Sequence, residues 1–219
     1  MKDKFNLTKE ENIFLAKRNI VDSIWKSANI EGILVTFSEI QQLYDGANIS
    51  HLRVDEIITI NNLKHAWQFI FSTIDSDVSF NYISSINALV GNSIIDSPGK
   101  LRVYEVKIGG TNWIPKIPSY EDYEKIIEDL KTIPNETKKI LTFMCKLMKL
   151  QLFNDGNKRT SMLIANHELI KLGRGVLAVD VEDKVEFGKR IIDYYENEEK
   201  LQDLISFLYD KCLYGIEKK

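Results

Sequence analysis

The fold and the chemistry of this chain are decided by one stretch, Leu150-Gln-Leu-Phe-Asn-Asp-Gly-Asn-Lys-Arg-Thr160. A short polar loop containing Gly156 leads here directly into a helical pattern. Backbone N–H groups at a helix N-terminus, with a glycine that permits close approach, form an anion site, and Lys158 and Arg159 add two positive charges. Asp155 is a hard oxygen ligand that suits Mg²⁺ beside phosphate groups. The residues alone leave open an ordinary polar helix start with solvated cations.

The composition is that of a globular chain long enough for one sizeable domain. Of the 219 residues, 44% are hydrophobic and 28% are charged, and the net charge is −3. This charge argues against general binding to nucleic acid or a membrane surface. There are two cysteines, a polar N-terminus without the apolar core of a signal peptide, and no run of about 18 apolar residues. We therefore expect a cytoplasmic protein without disulfides or membrane spans.

Apolar periodicity predicts a mostly helical domain with one short β-hairpin. The hairpin is expected over about 101–118, where partial alternation precedes Gly109-Gly110 and two prolines then stop regular pairing. Helical patterns cover about 8–30, 36–46, 54–70, 82–91, 119–133, 135–150, 157–173, 181–195 and 198–213.

The loop 150–160 resembles the signature of the Fic family (Fic/Doc domains), His-Pro-Phe-x-Asp/Glu-Gly-Asn-Gly/Lys-Arg. Two other regions support the resemblance. The segment 99–115 is similar to the region that leads into the family's flap hairpin, and Ser27-Ala-Asn-Ile-Glu31-Gly32 is similar to the inhibitory motif Ser/Thr-x-x-x-Glu-Gly/Asn. The resemblance covers about residues 20–175. The matching positions of the signature are Phe153, Asp155, Gly156, Asn157, Lys158 and Arg159.

The resemblance implies a mainly α Fic-like domain in three parts. Residues 1–50 would form N-terminal helices that include the inhibitory-like helix. Residues 51–180 would form the core with the flap and the motif, and residues 181–219 would add C-terminal helices of the same domain.

The resemblance also implies an activity, since Fic enzymes mostly transfer AMP from ATP to a hydroxyl of a target protein. ATP or a related nucleotide and Mg²⁺ would be the ligands. Asp155 matches the residue that coordinates Mg²⁺, Gly156 and Asn157 match the anion hole, and Lys158 and Arg159 match the positions that bind the phosphate chain. Whether AMP, UMP, phosphate or phosphocholine is transferred stays open, as do the target, a homo-oligomer and an antitoxin partner.

Two further elements of the family would serve docking and regulation. Unpaired backbone groups of the flap would hold the target segment by strand addition. Glu31, on the inhibitory-like helix with Ser27 and Gly32, would obstruct the γ-phosphate of ATP. The flap residues implied are Val106, Ile108, Gly109, Gly110 and Thr111.

The chain departs from the signature where the family has its catalytic His and the next Pro, because Gln151 and Leu152 stand there. In Fic enzymes that His takes the proton of the attacking hydroxyl, and a glutamine amide cannot do so near neutral pH. Loss of a positioned base typically costs ~10²–10⁴-fold in rate. His51, His65 and His167 are interpreted as surface or satisfied core residues.

A second departure concerns regulation. Many family members carry a second Arg that pairs with the inhibitory Glu, and Met162 occupies that position here. Glu31 then needs another partner, for which Arg159 and Lys158 are candidates. Without one, Glu31 is a solvated charge at a helix end.

Three functions follow from these observations. The first is a nucleotide-binding protein of the AMP-transferase type with weak or no activity because of Gln151. The second is an active Fic transferase that works without the His. The third is a non-catalytic interaction domain with an empty anion loop.

Overall fold

The computed structural model describes residues 1–216, and within them the chain is mostly helical. The fold predicted from the sequence is confirmed in this respect. The ten helices are α1 (Lys9–Arg18), α2 (Ile20–Ile30), α3 (Phe37–Tyr44), α4 (Val54–Ser72), α5 (Phe80–Gly91), α6 (Tyr120–Leu130), α7 (Glu136–Leu150), α8 (Asn157–Lys171), α9 (Lys184–Glu196) and α10 (Leu201–Phe207). Two strands, β1 (Val176–Leu177) and β2 (Leu213–Tyr214), a 3-10 turn (Glu198–Lys200) and a π-helical turn (Leu208–Cys212) complete the described chain.

The central element is α8, the helix that follows the motif loop. It packs against α7, α5, α4 and α1, and most of its side chains are buried. Leu163 and Ile164 belong to the hydrophobic cluster built by the N-terminal helices, whereas Ala165 and Leu169 belong to the cluster of the C-terminal helices. A helix buried on all sides in this way fixes the position of its own N-terminus against both halves of the core.

The single helix expected over about 8–30 is two helices that change direction at Asn19. The side chain of Thr8 forms a capping box with Glu11 at the start of α1. Asn19 ends α1 and precedes α2 with φ −102° and ψ 14°, outside the helical range. The break lets α1 lie on α8 while α2 packs on α3 and α4.

The predicted pairing of strands over 101–118 is wrong, although the turn at Gly109-Gly110 is present. The segment is extended, and no ladder joins its two arms. Pro115 has no N–H to contribute, and the carbonyls of Tyr104 and Lys116 accept hydrogen bonds from the Arg102 side chain instead. We keep the name flap for residues 103–117. The antiparallel sheet of the described chain lies elsewhere, where β1 pairs with β2.

The two cysteines and His167 are buried in the core. Cys145 and Cys212 are both free and buried. His167 is fully buried, with Nε2 3.1 Å from the carbonyl oxygen of Thr73 and Nδ1 2.9 Å from Glu168 Oε1. It is a satisfied core residue, as interpreted from the sequence. Among the helices of residues 1–216, none is both long and apolar enough to cross a membrane.

Asn12→Ala tests how α1 is tied to the turn that precedes β1. The buried Asn12 side chain donates to the Gly175 carbonyl (2.9 Å) and accepts from the Gly175 N–H (2.7 Å). Because both backbone groups lose their partner, we expect the free energy of unfolding in urea to fall by about 2–4 kcal/mol. Asn81→Ala, at an exposed helical position, should change it by less than about 0.5 kcal/mol. Equal effects of the two substitutions would contradict this assignment.

Candidate functional site

The site is built on a short loop, residues 151–156, that joins α7 to α8. The loop begins and ends in the left-handed region, with φ 51° at Gln151 and φ 74° at Gly156. A Cβ atom at Gly156 would lie 3.0 Å from Val90 Cγ1 and 3.2 Å from Asn87 Nδ2. Both the backbone conformation and the close packing therefore favour glycine at this position.

Asn157 holds the loop closed from inside. Its Oδ1 accepts a hydrogen bond from the Phe153 N–H (2.9 Å), and its Nδ2 donates to the Phe153 carbonyl (2.8 Å) and to Gln151 Oε1 (3.1 Å). The side chain is thus fully used within the loop. What Asn157 can offer to a ligand is its backbone N–H at the start of α8.

The N-terminus of α8 is open to an anion. Gly156 precedes the helix and no side chain caps it. Asp155 Oδ1 accepts from the Gly156 N–H (2.6 Å), and the first N–H groups of α8 lie beyond that bond. Helix N-termini carry partial positive charge and attract phosphate groups. Lys158 and Arg159 in the first turn add to this charge.

Gln151 uses its whole side chain in buried hydrogen bonds. Its Nε2 donates to the Met148 carbonyl (2.7 Å) and lies 3.4 Å from the Tyr195 hydroxyl, while its Oε1 accepts from Asn157. The Tyr195 hydroxyl donates to the same Met148 carbonyl (3.0 Å). Burial raises the pKa of the Tyr195 hydroxyl far above its usual range, so this phenol stays a neutral donor. Neither side chain can take a proton from an attacking hydroxyl.

Glu31 lies over the first turn of α8, at the end of α2. Its Oε1 is 3.1 Å from Lys158 Nζ, and its Oε2 is 3.1 Å from Arg159 Nε. These are the two cations named from the sequence as its candidate partners. The contact is ionic, because Glu31 Oε1 and Arg159 Nε have no well-directed hydrogen-bond partner among residues 1–216. Met162, at the position of the family's second Arg, is buried.

The end of α2 that carries Glu31 is anchored to the C-terminal part of the described chain. Lys26 Nζ lies 2.7 Å from Asp22 and 2.8 Å from Asp180, and its side chain is 12% exposed. Ser27, one turn before Glu31, accepts the Glu31 N–H through its carbonyl. Gly32 ends the segment with φ 88°. The motif predicted as inhibitory is therefore a fixed helix end with Glu31 aimed at the loop.

Asp155 could hold a metal ion only if a bound ligand supplied further coordinating atoms. Its side chain is 70% exposed, and Oδ2 lies 3.5 Å from Arg159 Nη2. Across residues 1–216, no three His, Cys, Asp or Glu side chains cluster closely enough to hold a metal. Mg²⁺ needs no such cluster, because it is commonly bound by one or two carboxylates, water and substrate phosphates. A single exposed carboxylate beside an anion site fits that requirement.

A cavity of about 270 Å³ lies above the loop. The loop and the first turn of α8 form its floor, flap residues Ile108 and Gly109 form one wall, and Ile191 and Tyr195 of α9 form another. Glu31 closes one side. A larger cavity of about 670 Å³ is lined by Trp113, α6 and α9 but by no residue of 151–156. The smaller cavity is the candidate site because Gly156, Asn157 and Lys158, at the start of α8, line it.

The flap contacts the site at its tip and is pinned to α9. Thr111 Oγ1 lies 2.5 Å from Glu196 Oε1, and the Trp113 ring packs on the Tyr195 ring with centroids 4.9 Å apart. The backbone groups of residues 105–110, which include Val106, form no hydrogen bond within the described chain. They are free to pair with an added strand.

Asn87 of α5 supports the loop, and no pattern in the sequence marks it. Its buried Nδ2 donates to the Asp155 carbonyl (3.0 Å) and to Thr160 Oγ1 (3.1 Å), and its Oδ1 accepts from the Gly99 N–H (2.8 Å). The sequence likewise gives no signal for the hydrogen bonds that Tyr195 and Arg102 make to the loop and to the end of α7. The only signal for Asn87 is a polar residue among the apolar positions of a buried helix.

Comparisons with known proteins agree with this fold. Residues 77–169 match the model of the Fic/DOC family. Fic-1 (residues 134–508) from C. elegans superposes with a TM-score of 0.73 at 20% identity, over 89% of this chain and 61% of that one. A Fic-domain-containing signaling protein from Bacteroides thetaiotaomicron gives a TM-score of 0.73 at 14% identity, over 93% and 87% of the two chains. A Fic family protein from Desulfovibrio desulfuricans gives 0.67 at 18% identity, over 90% and 64%.

The resemblance predicted from the loop is therefore confirmed by the match of residues 77–169 to the Fic/DOC family. The matched residues include the flap, α6, α7 and most of α8, and they lie inside the segment 51–180. The outer boundaries of the three predicted parts stay a prediction, and residues 217–219 of the last part lie outside the described chain. The chain spans less than two thirds of the C. elegans and Desulfovibrio chains. No curated protein matches it in sequence.

Asn87→Ala should loosen the loop locally. The Gly99 amide is bonded to Asn87 Oδ1, whereas the Lys100 amide is bonded to the Ser97 carbonyl. We expect the Gly99 amide to exchange with solvent about 10–100-fold faster in the variant, since it loses its partner. The Lys100 amide is the internal control. If both amides accelerate equally, Asn87 supports the whole fold and not this loop.

Proposed function

We propose that this protein binds a nucleotide at the N-terminus of α8 and is an AMP transferase of the Fic type, for hydroxyls of a target protein, with weak or no activity. The observation that carries the proposal is the contrast within one loop. The anion-binding end of α8 is open, whereas the position of the catalytic base holds a fully hydrogen-bonded amide. Members of the Fic/DOC family transfer AMP or other groups onto proteins.

The phosphate chain of ATP would lie on the first turn of α8. Backbone N–H groups of Asn157 and its neighbours would face one phosphate, and Lys158 and Arg159 would neutralise the others. Asp155 would hold Mg²⁺ against the phosphates, and the ion would balance negative charge that develops during transfer. The flap and α9 would enclose the rest of the nucleotide.

The weak step is proton removal from the target hydroxyl. Gln151 cannot accept that proton, and Tyr195 is a neutral donor bonded to the Met148 carbonyl. Loss of the base would slow the reaction ~10²–10⁴-fold, which corresponds to about 3–5 kcal/mol of activation free energy. The presence of Gln151 removes none of the groups proposed to bind the nucleotide, so the proposal separates ligand binding from turnover.

Glu31 would act as a built-in inhibitor. Its carboxylate already neutralises Lys158 and Arg159, the two cations that the phosphate chain needs. A nucleotide must displace this carboxylate or bind in a shifted pose. A target segment would pair with the unbonded edge of residues 105–110 and place its hydroxyl over the loop.

Glu31→Ala is expected to increase the affinity for Mg²⁺-ATP about tenfold, because a competing charge worth ~1.4 kcal/mol is removed. Isothermal titration calorimetry measures the change. Glu124→Ala removes an exposed carboxylate of α6 and should leave the affinity unchanged. Unchanged or weaker binding by Glu31→Ala alone would rule out the inhibitory role. No binding by any of the three proteins favours an interaction domain with an empty anion loop.

Transfer is tested with ATP labelled at the α-phosphate, Mg²⁺ and a cell lysate. The natural chain, Gln151→His, Glu31→Ala and the double variant are compared. We expect label on protein only when Gln151→His is present, and most in the double variant, since the base and the free cations are then both supplied. Label with the natural chain would establish an active transferase that works without the His. No label with the double variant would count against AMP transfer.

A further inference from the structure

Arg102 is the most deeply buried charged side chain of the described core that takes no part in the proposed chemistry. It is 1% exposed. Its Nε donates to the Gln151 carbonyl (3.0 Å), its Nη2 donates to the Lys116 carbonyl (2.7 Å), and its Nη1 donates to the Tyr104 carbonyl. Its own N–H donates to the Leu152 carbonyl (2.8 Å).

The partners of Arg102 are unusual for a buried cation. No carboxylate of residues 1–216 lies within ion-pair distance of its guanidinium, so the charge is met only by backbone carbonyls. One of these, at Gln151, follows the C-terminal end of α7, where the helix dipole is negative. Burial lowers the pKa of Arg102, yet an arginine stays charged in proteins. A lysine ammonium could not reach three carbonyls in this planar arrangement.

The three carbonyls belong to three separate segments. Tyr104 lies in the first arm of the flap, Lys116 lies in the second, and Gln151 starts the motif loop. The arms have no strand ladder between them. The guanidinium therefore holds the two arms together, as hydrogen bonds between strands do in a hairpin. It also links both arms to the motif loop.

We propose that Arg102 is a positioning residue that fixes the position of the flap relative to the motif loop. The backbone groups along the outer edge of residues 105–110 stay unpaired in this arrangement. As far as it concerns the docking of an extended target segment, this inference rests on the function proposed above. It assigns Arg102 no contact with nucleotide or target. Its effect is to keep the flap edge and the motif loop in a fixed relative position.

The test compares Arg102→Lys and Arg102→Met with Lys100→Met, which removes an exposed charge two residues away. The readout is the indole N–H signal of Trp113 in NMR, because its ring packs on Tyr195 of α9 and so reports the position of the flap. Trp25 and Trp67, in the N-terminal core, are internal references. Trp113→Phe assigns the signal. Calorimetry with Mg²⁺-ATP is run on the same proteins.

In both Arg102 variants we expect the Trp113 signal to shift or broaden while Trp25 and Trp67 keep their positions. The Trp113 amide, bonded to Thr111 Oγ1 (3.0 Å), should exchange about tenfold faster or more. Lys100→Met should match the natural chain. The affinity for Mg²⁺-ATP should fall in both Arg102 variants and not in Lys100→Met, since the flap that Arg102 positions forms one wall of the candidate cavity.

Two results would overturn the inference. An unchanged Trp113 signal in both variants would show that the flap is seated without Arg102. Simultaneous changes at Trp25, Trp67 and Trp113 would show a general role in folding. If no protein of the set binds Mg²⁺-ATP, the proposed function fails, and the Trp113 signal still decides the role of Arg102.

Discussion

The site depends on one constraint, the connection of two long buried helices through the short loop 151–156. α7 and α8 pack against each other, so the chain must reverse within this loop, and it does so through two residues in the left-handed region. Asn157 ties the loop to itself, and Asn87 ties it to α5. Because these bonds use the amide side chains of the loop and of α5, the backbone N–H groups at the start of α8 stay available to a ligand.

This arrangement separates two roles that polar residues near a site can play. Gln151, Asn157 and Asn87 have their hydrogen bonds satisfied inside the protein, and they give the loop its shape. Lys158 and Asp155 face the cavity and can meet a ligand. A residue at a catalytic position can thus be structural, and its hydrogen bonds distinguish the two roles better than its place in a motif.

The helical fold could be predicted from the sequence because apolar periodicity and capping residues are local signals. The loop could be predicted because glycine, acidic and basic residues stand together at a helix start. The hairpin could not, since the flap is held by a side chain from outside its arms, and alternation in the sequence does not reveal that Arg102 replaces a ladder. Asn87 and Tyr195 act across long distances in the chain, and a single residue carries no periodic signal.

The ion pairs of Glu31 place a carboxylate where the proposed phosphate chain would lie. Because α2 is held by Lys26 on Asp180, this carboxylate cannot diffuse away, and it resembles a ligand that is covalently attached to its own receptor. Tethered groups act at effective concentrations on the order of millimolar. If the loop binds nucleotide as proposed, an external polyanion meets a site whose two cationic side chains are already paired with Glu31. The nucleotide concentration needed to fill the site then depends on how firmly α2 is held in place. A partner that broke the ion pair between Lys26 and Asp180 would lower this concentration without contacting the loop.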